Sequence, residues 1–351
     1  MLSNRRGIRG LGIHGPGIHG PFALGRRAFV AGAIAVVAGV LPAAAQSDGA
    51  DELLSAIVQI KTYINPDGRT VKGLGQQRAG SGIVIDDKGL ILTIGYLMVE
   101  AHSAEVLTNS GRKAAADIVG YDHDTGFGLL RATEPLKVKP IAIGKSSDIK
   151  EQDQVLAASF GGRAGIAPAY VMSRREFAAG WEYLIPGAIF TAPAHSDWSG
   201  AALVSRDGKL VGVGSLVVGD VTGQGKNLPG NMYVPIDLLP PIMADLLSGG
   251  RVSGPGRPWL GLNVEEVRGR IFVSRVTGDS PAQRAGINTG DIVIAVNGEP
   301  PRSLADYYRK IWSLGSAGAS VPLDLLQTDG VKRVDVKSMN RLDYLRLKST
   351  F

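Results

Sequence analysis

The chain has 351 residues, of which 44% are hydrophobic and 20% charged, and this is enough for a sizeable core in about two domains. The absence of cysteine excludes disulfide bonds, thiolate metal sites and a cysteine nucleophile. The net charge of +6 is not gathered into a Lys/Arg cluster interleaved with aromatic residues, so nucleic-acid binding is not expected.

Residues 1–45 have the pattern of an export leader. A paired arginine, Arg26-Arg27, precedes Ala28-Phe29-Val30 and a short run of small apolar residues, and Ala43-Ala44-Ala45 fits a signal-cleavage site. The pattern resembles a twin-arginine signal, which serves proteins exported in folded form. We therefore expect a periplasmic or secreted protein, cleaved near Ala45. The alternative is an uncleaved leader that tethers the chain to the membrane, and only in that case do we expect membrane contact.

Residues 51–247 predict an all-β unit. Short apolar or alternating segments are separated by turn signals, and helical apolar spacing follows only after Pro240-Pro241, at the end of the unit. In the first part of the unit the predicted strands are 57–62, 79–85, 90–93, 104–107, 114–121, 127–131, 139–143 and 154–159. Residues 73–78 are expected to form a mobile loop. Strands at such close spacing are typical of a β-barrel or β-sandwich.

A serine beside a glycine lies between two predicted strands of this unit. The turn Asp197-Trp198-Ser199-Gly200 follows an apolar run at 188–192 and precedes a hairpin pattern with Asp207-Gly208 at its tip, where a tight turn needs positive φ. On a β-scaffold this is the placement of an exposed nucleophile. An ordinary polar loop is the alternative interpretation.

Several segments resemble, in order and spacing, the trypsin-like protease domain of the HtrA (Deg) family. They are residues 80–85, 89–93, 119–122, 143–148 and the Ser199-Gly200 turn with its hairpin. The resemblance implies a mainly β fold, in which a trypsin-like double β-barrel places the active site in the cleft between the two barrels. Homo-trimers are common in the family, so the resemblance also implies a homo-trimer or a hetero-oligomer with active relatives.

At two of the family's three catalytic positions, the resemblance places other residue types in this chain. The resemblance places Tyr96 where active members have the catalytic histidine and Gly126 where they have the aspartate, so only Ser199 keeps the residue type of the nucleophile. In the oxyanion-hole region, Asp197 replaces a glycine and Trp198 directly precedes Ser199.

These replacements oppose peptidase chemistry. A serine hydroxyl is a weak nucleophile unless a neighbouring base removes its proton. The phenol of Tyr96, with an ordinary pKa of about 10, is a poor base near pH 7, and Gly126 cannot orient a base. Asp197 would set a negative charge beside a developing oxyanion, and Trp198 would fill the cleft. We therefore predict a pseudoprotease in which Ser199 is a remnant nucleophile.

Three histidines, His102, His123 and His195, lie in segments that border the cleft in this family. For each of them a solvent-facing or loop-structural role is the alternative interpretation. His123 is the least implausible substitute base, because carboxylates flank it on both sides and a nearby carboxylate raises the basicity of an imidazole. The alternative function is therefore an active serine endopeptidase of periplasmic protein quality control that uses a non-standard base. The five histidines have no metal-ligand spacing, and we expect no metal and no cofactor.

The rest of the chain resembles a single PDZ domain, which is an α+β, partly open β-barrel. Residues 248–257 are rich in Gly, Pro and Ser and predict a linker, residues 258–338 carry the PDZ pattern, and residues 339–351 form a tail. The resemblance implies that Trp259, Leu260, Gly261 and Leu262 form the loop that binds a peptide carboxylate. The expected partners are unfolded polypeptides or C-terminal peptides, bound in a chaperone, adaptor or regulatory role. A PDZ fold used only for packing between domains is the alternative.

Overall fold

The computed structural model describes residues 51–347. The predicted leader and its cleavage site lie outside the described residues. The described residues form two closed barrels, followed by a five-stranded sheet with helices. Among them, no helix has the length and apolar character needed to cross a membrane.

The first barrel is closed in the order β1-β2-β3-β6-β5-β4, with antiparallel neighbours throughout. Alternation of buried and partly exposed residues along β1 agrees with the predicted half-buried strand. The strands of this barrel are β1 Ile57–Ile64, β2 Gln77–Val84, β3 Leu90–Ile94, β4 Ala101–Leu107, β5 Lys113–Tyr121 and β6 Phe127–Ala132.

The second barrel is closed in the order β10-β11-β12-β9-β8-β7. Its buried residues form apolar clusters of their own, and a further cluster continues from the first barrel into the second. The strands are β7 Gln154–Ala158, β8 Ile166–Ala179, β9 Tyr183–Ala192, β10 Ala202–Val204, β11 Leu210–Val218 and β12 Gly230–Pro235.

The C-terminal sheet has the order β13-β14-β15-β16-β17. Its strands are β13 Leu262–Val267, β14 Arg270–Val276, β15 Ile292–Val296, β16 Ser320–Gln327 and β17 Gly330–Lys337. Helices that lie wholly within the described residues are α1 Val71–Leu74, α2 Pro240–Gly249, α3 Pro281–Arg284, α4 Leu304–Ser313 and α5 Arg341–Tyr344. Ser280 caps α3, because its side chain accepts a hydrogen bond from the Gln283 N–H.

The mainly β fold is confirmed, and two local predictions are wrong. Residues 139–143 form no strand; only Ile143 makes an isolated bridge, to Leu210. The predicted loop at 73–78 instead contains the end of α1 and the start of β2.

The hairpin formed by β8 and β9 extends beyond the second barrel. β8 pairs with β7 only through residues 166–170, and β9 pairs with β12 only through residues 189–191. Farther along, the two strands pair with each other as far as Ala179 and Tyr183. We call residues 176–186 the hairpin arm.

The described part of the tail, residues 339–347, packs on its own chain. Trp259 exchanges backbone hydrogen bonds with Met339, and its ring lies 4.7 Å from the ring of Tyr344. Arg341 donates to the carbonyl of Trp181 in the hairpin arm at 2.8 Å. The Arg346 N–H donates to the carboxylate of Glu100 in the first barrel at 2.7 Å.

Candidate functional site

The turn that carries Ser199 is fixed tightly between the barrels. The Ser81 N–H of β2 donates to the Ser199 carbonyl at 2.8 Å. Gly200 has φ +73°, and a Cβ built there would lie 2.0 Å from the Ser81 carbonyl oxygen. Only glycine fits this position, because it combines positive φ with a close backbone contact. The half-buried Ser199 side chain therefore has a defined position in the cleft.

Tyr96 contacts Ser199 directly. The Tyr96 hydroxyl lies 2.8 Å from Ser199 Oγ and 3.0 Å from the Ser215 carbonyl oxygen. A carbonyl can only accept, so the single phenol proton goes to Ser215 and Ser199 donates its own proton to the phenol oxygen. Burial raises the pKa of Tyr96 to about 12, although the hydrogen bond with Ser199 lowers it in part. The partner of the serine is therefore a neutral phenol at pH 7.

Gly126 lies next to the same cleft, in a conformation that favours glycine. Its φ is +80°, and a Cβ built there would lie 2.7 Å from the hydroxyl of Tyr183. The Tyr183 hydroxyl donates to the Thr125 carbonyl at 2.8 Å, and the Gly126 carbonyl accepts from the Gly95 N–H, beside Tyr96. The phenol of Tyr183 thus occupies the space into which an acidic side chain at 126 would begin to extend.

Asp197 and Trp198 precede Ser199 in the turn. Asp197 is exposed and accepts a hydrogen bond from Ser196 Oγ at 3.1 Å. Trp198 is half-buried, and its carbonyl accepts from the Ala201 N–H at 3.0 Å.

None of the three candidate histidines has a hydrogen bond to Ser199 among the described residues. His102 is exposed on β4, and His195 Nε2 lies 3.0 Å from Ser159 Oγ. His123 Nδ1 lies 2.8 Å from the Tyr121 hydroxyl, and its Nε2 contacts the Arg341 guanidinium. Burial, together with the charge of Arg341, lowers the pKa of His123 well below its ordinary value. The expectation that carboxylates would make His123 a stronger base is therefore wrong.

The predicted carboxylate loop of the PDZ unit contacts a carboxylate of the same chain. The N–H groups of Leu260, Gly261 and Leu262 lie 3.2, 2.9 and 3.3 Å from Glu182 Oε1, at the tip of the hairpin arm. The N–H of Trp259, the first residue of the predicted loop, donates to the Met339 carbonyl.

Glu182 is buried, with 7% of its surface exposed. Burial raises its pKa to about 7, although Arg341 and the N–H groups of the loop lower it in part. Sequence reasoning missed this residue, because its partners lie 78 to 80 positions away and no local pattern links them. The signal that was available is a single charged residue within the otherwise apolar stretch of residues 177–186.

Comparison with known proteins agrees with this architecture. The chain matches a trypsin-like peptidase domain model over residues 80–213 and a PDZ domain model over residues 272–327. Its structure is similar to that of an HtrA-type protease, AlgW with decapeptide, with a TM-score of 0.51 and 19% identity. The match covers 84% of this chain and 98% of the AlgW chain. This likeness shows a shared fold. The expected trypsin-like fold with a PDZ domain is therefore confirmed.

Two curated relatives are periplasmic proteases by name. The chain is 26% identical over 288 residues to a probable periplasmic serine endoprotease, DegP-like, of Pseudomonas fluorescens, covering 77% of this chain and 59% of the relative. It is 28% identical over 279 residues to the periplasmic pH-dependent serine endoprotease DegQ of Escherichia coli, covering 73% and 58%. The chain thus spans less than two thirds of the length of these relatives.

Proposed function

We propose that this chain, an HtrA-like protein with a trypsin-like peptidase domain and a PDZ domain, binds polypeptides and is impaired in cleaving them. Peptide binding is supported by the PDZ domain and by the convergent N–H groups of its loop. A periplasmic location is supported by the names of the relatives. A chaperone, adaptor or regulatory role, alone or in an oligomer with active relatives, would follow from such binding.

The observation that carries the proposal is the environment of the Ser199 hydroxyl. Its partner, Tyr96, uses its only proton on the Ser215 carbonyl and has a pKa of about 12. Removal of a proton from Ser199 would make this buried phenol a cation, which is unfavourable near pH 7. In trypsin-like enzymes, loss of triad members leaves only about 10³–10⁴-fold acceleration over water.

The test is Ser199-dependent cleavage of an unfolded substrate. The full chain and its Ser199→Ala variant are incubated with unfolded casein at pH 7, and labelling of Ser199 by a fluorophosphonate is followed in parallel. We expect the same casein cleavage rate in both proteins and no rapid labelling. Faster cleavage by the unmodified chain would contradict the proposal and favour an active endopeptidase.

If such cleavage occurs, two further variants identify the base. Tyr96→Phe removes the phenol hydroxyl that contacts Ser199, and His195→Gln removes a buried imidazole elsewhere in the second barrel. A loss of activity confined to one of them would assign the proton acceptor to that residue.

A further inference from the structure

The hairpin arm lies where a peptide ligand of a PDZ domain adds as an extra strand. The Val264 N–H of β13 donates to the Gly180 carbonyl at 2.9 Å. The Tyr308 hydroxyl of α4 donates to the Ala179 carbonyl at 2.7 Å and lies 3.1 Å from the Glu182 N–H, from which it accepts. The arm therefore contacts the strand, the helix and the carboxylate loop of the same groove.

Gly180 lacks the side chain that would prevent its close approach to β13. A Cβ built there would lie 2.1 Å from the Val264 carbonyl oxygen. Its φ is not in the left-handed region, so the hairpin itself does not require glycine at this place. The requirement comes from the PDZ strand, whose backbone approaches too closely for any side chain at residue 180.

Glu182 is a second residue whose type suits the groove rather than the hairpin. It has φ +61°, the left-handed conformation that glycine or asparagine usually provides at the end of a three-residue hairpin loop. A non-glycine residue in this conformation is strained, and such strain persists where surrounding contacts over-determine it. Here the contacts are the N–H groups that converge on its carboxylate.

We propose that Glu182 is an intramolecular ligand of the PDZ domain, standing in for the carboxylate of a chain end. The hairpin arm then closes the groove, and a polypeptide with a free C-terminal carboxylate must displace it. An intramolecular ligand lowers the apparent affinity of a competing peptide in proportion to the fraction of molecules in which the groove is open. This inference rests on the peptide binding proposed above.

Two variants of the full chain open the groove by different means. Gly180→Ala places a methyl group against the Val264 carbonyl, and Glu182→Gly removes the carboxylate while suiting the positive φ. Gly219→Ala is the control for the first, because a Cβ at Gly219 would meet nothing within 4 Å. Glu134→Gly, at an exposed glutamate of the first barrel domain, is the control for the second.

The first measurement is amide hydrogen exchange at residues 260–262 and 264. Both groove-opening variants should exchange at least about tenfold faster there than the unmodified chain, because local opening exposes N–H groups that the arm protects. The controls should match the unmodified chain. Unchanged exchange in both Gly180→Ala and Glu182→Gly would overturn the inference.

The second measurement is binding of a fluorescein-labelled pool of degenerate decapeptides with free C-terminal carboxylates. Both variants should bind it at least about tenfold more tightly than the unmodified chain, and amidation of the C-termini should remove the gain. Equal binding by all proteins would contradict the proposal that the hairpin arm closes the groove. Faster amide exchange without binding by any variant would support the intramolecular contact while refuting the peptide binding of the proposed function.

Discussion

At the scale of single residues, two phenols lie beside Ser199 and Gly126 in the cleft. Tyr96 contacts the Ser199 hydroxyl, and Tyr183 lies against Gly126. Burial raises the pKa of both phenols, so both are neutral near pH 7. An active triad instead needs an imidazole that gains a proton and a carboxylate that stabilises the imidazolium. The neutral phenols, which donate to the carbonyls of Ser215 and Thr125, supply neither group.

Substitution at Gly126 tests whether the cleft has room for an acidic residue. Gly126→Ala should lower the free energy of unfolding by about 2–4 kcal/mol, because it adds a contact with the Tyr183 hydroxyl to the cost of positive φ. Urea unfolding measures the change. Gly111→Ala has a similar φ of +85° with nothing within 4 Å of its Cβ, so it should cost only about 1–2 kcal/mol.

The Tyr183→Phe background isolates the contact. Removing the hydroxyl should reduce the cost of Gly126→Ala toward that of Gly111→Ala, because only the backbone conformation then opposes the new methyl group. An undiminished cost in this background would show that the Tyr183 hydroxyl does not occupy the space beside residue 126.

At the scale of elements, the hairpin arm joins the peptidase domain to the PDZ domain through a titratable group. Glu182 is faced by Arg341 of α5, by Tyr307 and Tyr308 of α4, and by His123 of the first barrel domain. Desolvation outweighs the charge of Arg341 and the N–H groups of the loop, so the pKa of Glu182 rises from its ordinary 4.5 to about 7. The docked arm therefore binds a proton more tightly than a released arm.

This pKa gives docking of the arm a definite dependence on pH. Below pH 4.5 Glu182 is protonated in both states, and docking is strongest. As the pH rises from 4.5 to about 7, the released arm loses its proton first, so docking weakens and then stays constant. Amide exchange at residues 260–262, corrected for intrinsic rates, should therefore be slower at pH 5 than at pH 7.5.

The Glu182→Gly variant is the control for this dependence, because it lacks the titrating group. Its corrected exchange at residues 260–262 should not be slower at pH 5 than at pH 7.5, because His123, whose pKa is lowered by burial, favours docking at the higher pH. Protection that increases with pH in the unmodified chain would contradict the raised pKa.

At the scale of the whole molecule, the tail fastens the C-terminal part of the chain to the first barrel. Glu100 is 2% exposed and accepts hydrogen bonds from Arg69 N, Thr70 N, Thr70 Oγ1 and Arg346 N. Burial raises the pKa of Glu100, but the hydrogen bonds from Thr70, Arg346 and Arg69 outweigh burial and leave it below the ordinary 4.5. The ionised form is therefore part of the folded structure.

Glu100→Gln should lower the free energy of unfolding by about 1–3 kcal/mol at pH 7. The reason is that a neutral amide replaces a carboxylate that accepts hydrogen bonds from several N–H and O–H donors. A lowered pKa stabilises the folded state above pH 4.5, and this contribution is lost as the pH falls through the folded-state pKa. The difference between the two proteins should therefore shrink in acid, as measured by urea unfolding.

A chain that ends at residue 345 is the matched background for this substitution. It lacks the Arg346 N–H, so the cost of Glu100→Gln should be smaller there by about 0.5–1.5 kcal/mol. An equal cost in both backgrounds would show that the tail contributes nothing through Glu100.

Much of the fold and part of the cleft could be predicted from the sequence, because local patterns determine them. Alternating apolar residues predicted strands such as β1. The prediction that Tyr96 and Gly126 stand where a triad has its histidine and aspartate rests on residue types and on a family resemblance. A phenol is a poor base wherever it is buried, so the predicted lack of a base at Tyr96 needed no tertiary detail. The mistaken strand at 139–143 shows the limit, since Ile141 is buried there without a strand ladder and Ile143 is exposed.

Only the packing of the folded chain places Tyr183 against Gly126 and Glu182 against the carboxylate loop of the PDZ domain. Tyr183 lies 57 positions from Gly126, and Glu182 lies 79 positions from Gly261. The pKa of His123 depends on Arg341, 218 positions away. Contacts at such separations leave no periodic trace in the chain, because they arise from how barrel, arm and tail pack. The chain supplies the residue types, while packing sets which groups meet and which protonation states their burial favours.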